Sequence, residues 1–155
     1  MKLYRDASIL IVDDDEDDFF ILSALLAEVP ANTFSIEWAP TYHDGVNKLC
    51  HGAYHIVFVD YRLGARSGVD FLKEVRDTNP DTPIVLLTGQ GNYAVDIEAM
   101  ELGAVDYLIK AELTTEKVER CLRYTIDRAS TLKALKESEQ KYRSIFEKSK
   151  DIIFV

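Results

Sequence analysis

The sequence predicts a doubly wound α/β fold, a five-stranded parallel sheet with helices on both faces and an extended C-terminal helix. Short apolar runs alternate with helix-forming segments through the first two-thirds of the 155 residues, with little slack between them. Three of these runs, Ile9-Leu10-Ile11-Val12, Ile56-Val57-Phe58-Val59 and Ile84-Val85-Leu86-Leu87, are unbroken by polar residues, as strands buried on both faces of a parallel sheet must be. The runs also end alike. The first delivers Asp13 and Asp14, the second Asp60, the third Thr88, and a fourth, Val105-Asp106-Tyr107-Leu108-Ile109, delivers Lys110. A carboxylate at the end of a buried strand is unfavourable unless something there uses it.

Strands are expected near 8–13, 34–39, 55–60, 83–88 and 105–110. Helices are expected near 15–29, 42–51, 68–78, 92–102 and from about 113 onward. Asp15, Thr41, Ser67 and Thr114 stand where side-chain oxygens cap helix starts. Pro30, Gly52, Asn79-Pro80 and Gly103 mark helix ends. The second strand alternates (Phe34, Ile36, Trp38), which suits an edge position. Right-handed crossovers through five βα units give a flavodoxin-like strand order 2-1-3-4-5. All the polar strand ends then meet along one sheet edge.

The net charge of -9 is unevenly spread. Residues 1–112 carry 8 Lys+Arg against 20 Asp+Glu, and residues 113–155 carry 10 against 7. The acidic front half argues against nucleic acid as a direct partner. No apolar run approaches the roughly 18 residues that a membrane span needs, and the start is not a signal peptide. Cys50 and Cys121 are far apart and both fall on expected helices, so they read as small buried or half-buried hydrophobes in a reducing, cytoplasmic compartment.

The fifth helix does not stop where a compact domain would end it. From Thr114 to about Lys148 there is neither Pro nor Gly. Val118, Leu122, Thr125, Ala129 and Leu132 follow 4-3-4-3 spacing, a coiled-coil seam, until Lys136 lands on it. Up to Leu122 the alternative is an amphipathic helix packed on its own domain. Beyond Arg128 a helix projecting into a dimer is favoured. The closing run Asp151-Ile152-Ile153-Phe154-Val155 reads as a β-strand without a pairing partner. The expected organisation is a globular domain over 1–125, a helical linker over 126–148 and the truncated start of another domain over 149–155.

Ligands of doubly wound sheets bind where the winding reverses, between the first and third strands. Asp13, Asp14 and Asp60 would converge there. Three adjacent carboxylates repel one another and are best neutralised by a hard divalent cation, for which Mg²⁺ with its few carboxylates and waters is suited. Thr88 offers a hydroxyl and Lys110 a positive charge to a phosphate on Asp60, and together the groups fit phosphoryl transfer. A Ca²⁺ loop beginning at Asp13 fails, since positions six and twelve would be Asp18 and Ala24. Asp17 and Asp18 read as a solvated helix start.

An acidic pair after strand 1, Asp after strand 3, Thr after strand 4 and Lys after strand 5 resemble the receiver domain of two-component response regulators, over roughly residues 7–125. The resemblance implies Asp60 as the phosphoacceptor. It implies Mg²⁺ (or Mn²⁺) held by Asp13, Asp14, Asp60 and the backbone carbonyl of Arg62, with Asp13 acting through water. Thr88 and Lys110 would stabilise the phosphoryl group. Thr88 with Tyr107 would form the conformational switch, unless Tyr107 is only a half-buried edge tyrosine. Arg62 and Gln90 would tune hydrolysis. The implied partner is a sensor histidine kinase or a phosphotransfer protein, and the chain would be no enzyme beyond its own phosphoryl acceptance and loss. One departure stands out: the family's usual Pro after the Lys is Ala111 here.

Residues Glu139–Glu147 with Asp151–Val155 are similar to the opening helix and first strand of PAS sensor domains. The leading reading is therefore a receiver that passes its state through a C-terminal helix, as a homodimer, to a PAS or other output domain. Two alternatives stay open. One is an aspartyl-nucleophile, Mg²⁺-dependent phosphohydrolase, which wants a second acid where Arg62 stands. The other is a constitutive dimerisation scaffold.

Overall fold

The structure is a computed structural model that describes residues 3–89 and 93–153. Five parallel strands form the main sheet: β1 (Ser8–Val12), β2 (Ser35–Ala39), β3 (Ile56–Asp60), β6 (Ile84–Thr88) and β7 (Asp106–Ile109). Their spatial order is β2-β1-β3-β6-β7, the expected 2-1-3-4-5 arrangement. The segment between β3 and the third helix adds a small antiparallel hairpin, β4 (Arg62–Leu63) with β5 (Arg66–Ser67), outside this sheet. Runs of two residues carry no periodicity and leave no mark in the sequence.

Alternation along the strands divides the core between two faces. Leu10, Val12, Val57, Val59, Ile84 and Leu86 point to one side, against α2 (Tyr42–His51), α3 (Gly68–Val75) and α4 (Tyr93–Glu101). Ile9, Ile11, Ile56, Phe58, Val85 and Leu87 point to the other, against α1 (Glu16–Ala27) and the start of α5 (Thr115–Ile153). The expected caps are in place. Asp15 accepts from the amides of Asp17 and Asp18, Thr41 from Asp44, Thr114 from Lys117, and Ser67 exchanges bonds with Asp70 in a capping box.

Helix α5 departs from expectation in two places. Val118, Leu122 and Thr125 are buried on their own sheet together with Cys121 and Ile126, so the first half of the expected seam is core. A 3.5-residue seam and a 3.6-residue amphipathic stripe coincide over two or three turns, and nearby apolar surface decides between them. From Ser130 to Lys148 every residue is exposed, with Leu132, Leu135, Tyr142, Ile145 and Phe146 the large apolar ones. The helix then continues through Ile153, where an extended run was expected; an unpaired strand cannot satisfy its backbone, whereas a helix already formed can extend. Phe154 and Val155 lie outside the described residues.

The N-terminal turn Leu3–Asp6 braces α5. Buried Tyr4 donates its hydroxyl to Glu119 Oε1 at 3.1 Å, and the same carboxylate takes Arg123 Nε at 2.9 Å. Both cysteines are free thiols, and Cys50 is exposed rather than half-buried, because it lies on the solvent side of α2.

Two glycines near the carboxyl edge are required by the backbone. Gly64 turns the hairpin with φ +64°, and Gly68 opens α3 so close to β3 that an added Cβ would lie 2.7 Å from the Asp60 carbonyl oxygen and 2.6 Å from Leu86 Cδ1. Replacing Gly68 by Ala is expected to destabilise the fold by about 1–3 kcal/mol, as overpacking against fixed backbone does. Chemical denaturation reads the loss, and an unchanged midpoint would refute the close approach.

Candidate functional site

The register of the sheet assembles the site. Val12 pairs with Val59, so Asp13 and Asp14 leave β1 beside Asp60 at the end of β3. Asp60 pairs with Leu87, one residue before Thr88, and Thr88 pairs with Ile109, one residue before Lys110. Carboxylate oxygens of Asp13, Asp14 and Asp60 lie within 4.8 Å of one another. Asp13 is 1 % exposed and Asp60 6 %, whereas Asp14 faces solvent. Thr88 is buried, and among the described residues its hydroxyl has no hydrogen-bond partner; neither has Asp13 Oδ2. Unpartnered polar atoms converging on one cleft are what a site for a polar ligand leaves behind.

The backbone fixes the acids individually. Asp13 Oδ1 accepts from the Asp15 amide at 2.9 Å, and the Asp13 carbonyl accepts from Trp38 Nε1 at 2.8 Å. The indole ring is stacked on Phe19 of α1, which ties the edge strand β2 to the start of that helix. Asp14 Oδ2 accepts from the Gly64 amide at 3.3 Å, so the hairpin loop closes over the acids. That hairpin is anchored on its far side, where the Arg66 guanidinium lies 4.4 Å from the centre of the Tyr42 ring and 3.4 Å from Glu74 Oε1.

Lys110 enters from the other side. Its Nζ is 3.1 Å from Asp13 Oδ2, 3.1 Å from Asp60 Oδ2 and 2.6 Å from Asp18 Oδ2. Only the bond to Asp18 also has hydrogen-bond geometry, which is why Asp13 Oδ2 remains without a hydrogen bond despite the nearby charge. Asp18 was expected to be a solvated helix-start acid. It is instead a member of the charge cluster, turned inward from the first turn of α1. After Lys110 the chain enters a short 3-10 turn (Lys110–Glu112), and among the described residues no peptide bond is cis.

Of the other expected site residues, Arg62 lies in β4 with its side chain exposed. Tyr107 lies in the edge strand β7, 37 % exposed. Gln90 is outside the described residues.

Burial pushes the Asp13 carboxyl up to about 6; the Asp15 amide opposes this, Asp60 adds to it and Lys110 opposes it. Burial alone would lower the Lys110 ammonium, but the Asp18 bond and the charges of Asp13 and Asp60 outweigh it and hold it above the usual lysine range. For Asp13 the folded value exceeds the unfolded one. Its stabilising contribution is therefore present at low pH and lost as pH rises through about 6. In the metal-free protein an Asp13→Asn variant should match the wild type near pH 4, gain on it as pH rises to about 6, and be the more stable of the two above pH 7. Urea denaturation in a chelator at both values checks this, and a difference independent of pH would contradict it.

Comparison with known proteins agrees with this geometry. The profile of the response regulator receiver domain matches residues 9–122. The acid tolerance regulatory protein ActR of Sinorhizobium medicae (strain WSM419) is 38% identical over 105 residues, covering 68% of this chain and 53% of that protein. The transcriptional regulatory protein ZraR of Salmonella typhimurium is 30% identical over 127 residues, 80% of this chain and 28% of that protein. The chain thus spans about half the length, or less, of these curated relatives. Among solved structures, a response regulator receiver domain protein from Clostridium thermocellum superposes with a TM-score of 0.73 at 26% identity, over 81% of this chain and 98% of that one. A CheY-like receiver from Methanospirillum hungatei JF-1 has the same TM-score at 20% identity, again over 81% of this chain and 98% of that one. The chain belongs to the response regulator receiver family of two-component systems.

Proposed function

We propose that this receiver accepts a phosphoryl group on Asp60 and passes the resulting change through α5 to an output domain. The observation that carries the reading is the buried Asp60 carboxylate with a lysine ammonium at 3.1 Å and two further carboxylates close by. An Asp60 oxygen attacks phosphorus, and the donor's bond to phosphorus breaks with its electron pair leaving on the donor, a histidine nitrogen of a sensor kinase or phosphotransfer protein. Lys110 offsets charge on the phosphoryl oxygens, and the unpartnered Thr88 hydroxyl is placed to donate to one of them. The donor set fits a hard divalent cation: Asp13, Asp14 and Asp60, with the Arg62 carbonyl, would hold Mg²⁺ or Mn²⁺. Bound there, the ion would neutralise the acids and the incoming phosphate.

An exposed Tyr107, paired with Leu86 two residues before Thr88, supports its role as the switch aromatic, which turns inward when Thr88 engages the phosphoryl group. Arg62 and Gln90 would tune the lifetime of the phosphoryl group. The chain is then no enzyme in its own right. A phosphohydrolase would need an acid where the exposed Arg62 stands, and sustained turnover would favour it. A scaffold with an idle site would leave the buried, unpartnered Thr88 and Asp13 atoms without a use.

Incubation with acetyl phosphate or phosphoramidate and Mg²⁺ should label the wild type and leave Asp60→Asn unlabelled by mass spectrometry; label on the variant would overturn the assignment. Pairing with a second copy is supported by Leu132, Leu135, Tyr142, Ile145 and Phe146, apolar residues exposed on a helix that has nothing of its own to pack against. The similarity of residues 139–147 to the opening helix of a PAS domain supports an output module of that kind. In sedimentation the wild type should associate and a Leu135→Glu/Tyr142→Glu chain should run as a monomer. A wild type that stays monomeric in both phosphorylation states would refute the dimer.

A further inference from the structure

We propose that Asp18 is a positioning residue for Lys110, holding the ammonium in the cleft so that it faces Asp60. The inference rests on Asp60 being the phosphoryl acceptor and assigns a role that the metal-binding acids cannot fill. Lysine is a point charge on a flexible four-carbon stem, and its direction must come from what the ammonium bonds to. The backbone under Lys110 supplies little restraint, being a three-residue 3-10 turn without a side-chain cap. Of the three carboxylates around Nζ, Asp18 is the closest, at 2.6 Å, and the one with hydrogen-bond geometry.

Asp18 is also the acid left free for this task. Asp13, Asp14 and Asp60 form the group within 4.8 Å that a cation would share, and Asp18 lies outside it. When the charges of Asp13 and Asp60 are engaged elsewhere, Asp18 stays with the ammonium. Its own position is secure, because the side chain of Asp15 caps α1 through the amides of Asp17 and Asp18 itself. The pair therefore joins a rigid helix start to the loop after β7, and Lys110 is held between that helix and the acceptor.

The charge balance makes the proposal discriminating. Phosphoryl donors are anions, so removing a nearby negative charge should by bulk electrostatics speed their reaction. Loss of positioning should slow it. In the full chain with acetyl phosphate and Mg²⁺, Asp18→Asn is expected to label about tenfold more slowly than wild type, with partial recovery in Asp18→Glu. Added to Lys110→Met, Asp18→Asn should have no further effect, since its role runs through the lysine. Trp38 fluorescence on Mg²⁺ titration would show the metal site retained, which a merely damaged fold would not. Labelling of Asp18→Asn at or above the wild-type rate, or independent losses in the double variant, would overturn the proposal. A wild type that takes no label would overturn the reading of Asp60 and this inference with it, so the two failures are distinct.

Discussion

The ammonium of Lys110 is the counter-charge on which the carboxyl edge of this sheet depends. A parallel sheet covered by helices buries its strands entirely, and it places the ends of β1 and β3 side by side. The same topology that makes a stable core thus forces Asp13 and Asp60 together out of contact with bulk water. Carboxylates at such spacing are mutually unfavourable at low dielectric, and the cost of an uncompensated one is several times that of an exposed charge. One lysine lies within ion-pair distance of both and of Asp18. The arrangement leaves the cluster still net negative.

Most of the fold was legible because it depends on local rules that agree with one another. The aliphatic runs of β1, β3 and β6 admit one environment, and Asp15, Thr41 and Ser67 cap helices in the way their side chains allow. The strand ends were legible for the same reason: once the sheet order was known, Asp13, Asp60, Thr88 and Lys110 had to share an edge. Asp18 was not, because it sits in an acidic run in which every member suits a helix start. Only the direction of α1, fixed by Phe19 stacking on Trp38 and by burial of Leu22 and Leu26, determines which acid turns inward. The hairpin of Arg62–Ser67 escaped notice because it is held by an arginine over an aromatic ring from another helix, a contact no sequence spacing encodes.

The extended helix α5 is present as expected, but the first part of its seam is core, as the packed alternative had it up to Leu122. Val118, Leu122 and Thr125 satisfy both a seam between chains and a stripe against a sheet, and the two differ by only about 20° per heptad. The sheet face not covered by α1 was the missing information. It takes these residues into the core, and Tyr4 secures the same helix from the N-terminal side through Glu119. The break in pattern at Lys136 has a counterpart in space, since its ammonium reaches 3.8 Å from Asp81 in the loop before β6. The helix therefore begins just beyond the carboxyl edge and passes the opposite end of the sheet.

That continuity gives α5 a mechanical meaning. Its 39 residues amount to a rod about 58 Å long at the usual rise per residue. The first dozen residues are seated in the core; the rest runs about 40 Å further, exposed from Ser130 to Lys148 and touching the domain through the Lys136–Asp81 ion pair. A rod seated at one end multiplies angle into distance. A tilt of about 5° at the seat, far smaller than a change of packing partner, carries the far end sideways by about 3.5 Å. A tilt of that size at the seat would thus become a displacement on the scale of a side chain. The absence of glycine and proline along the shaft keeps the gearing from being lost in bending.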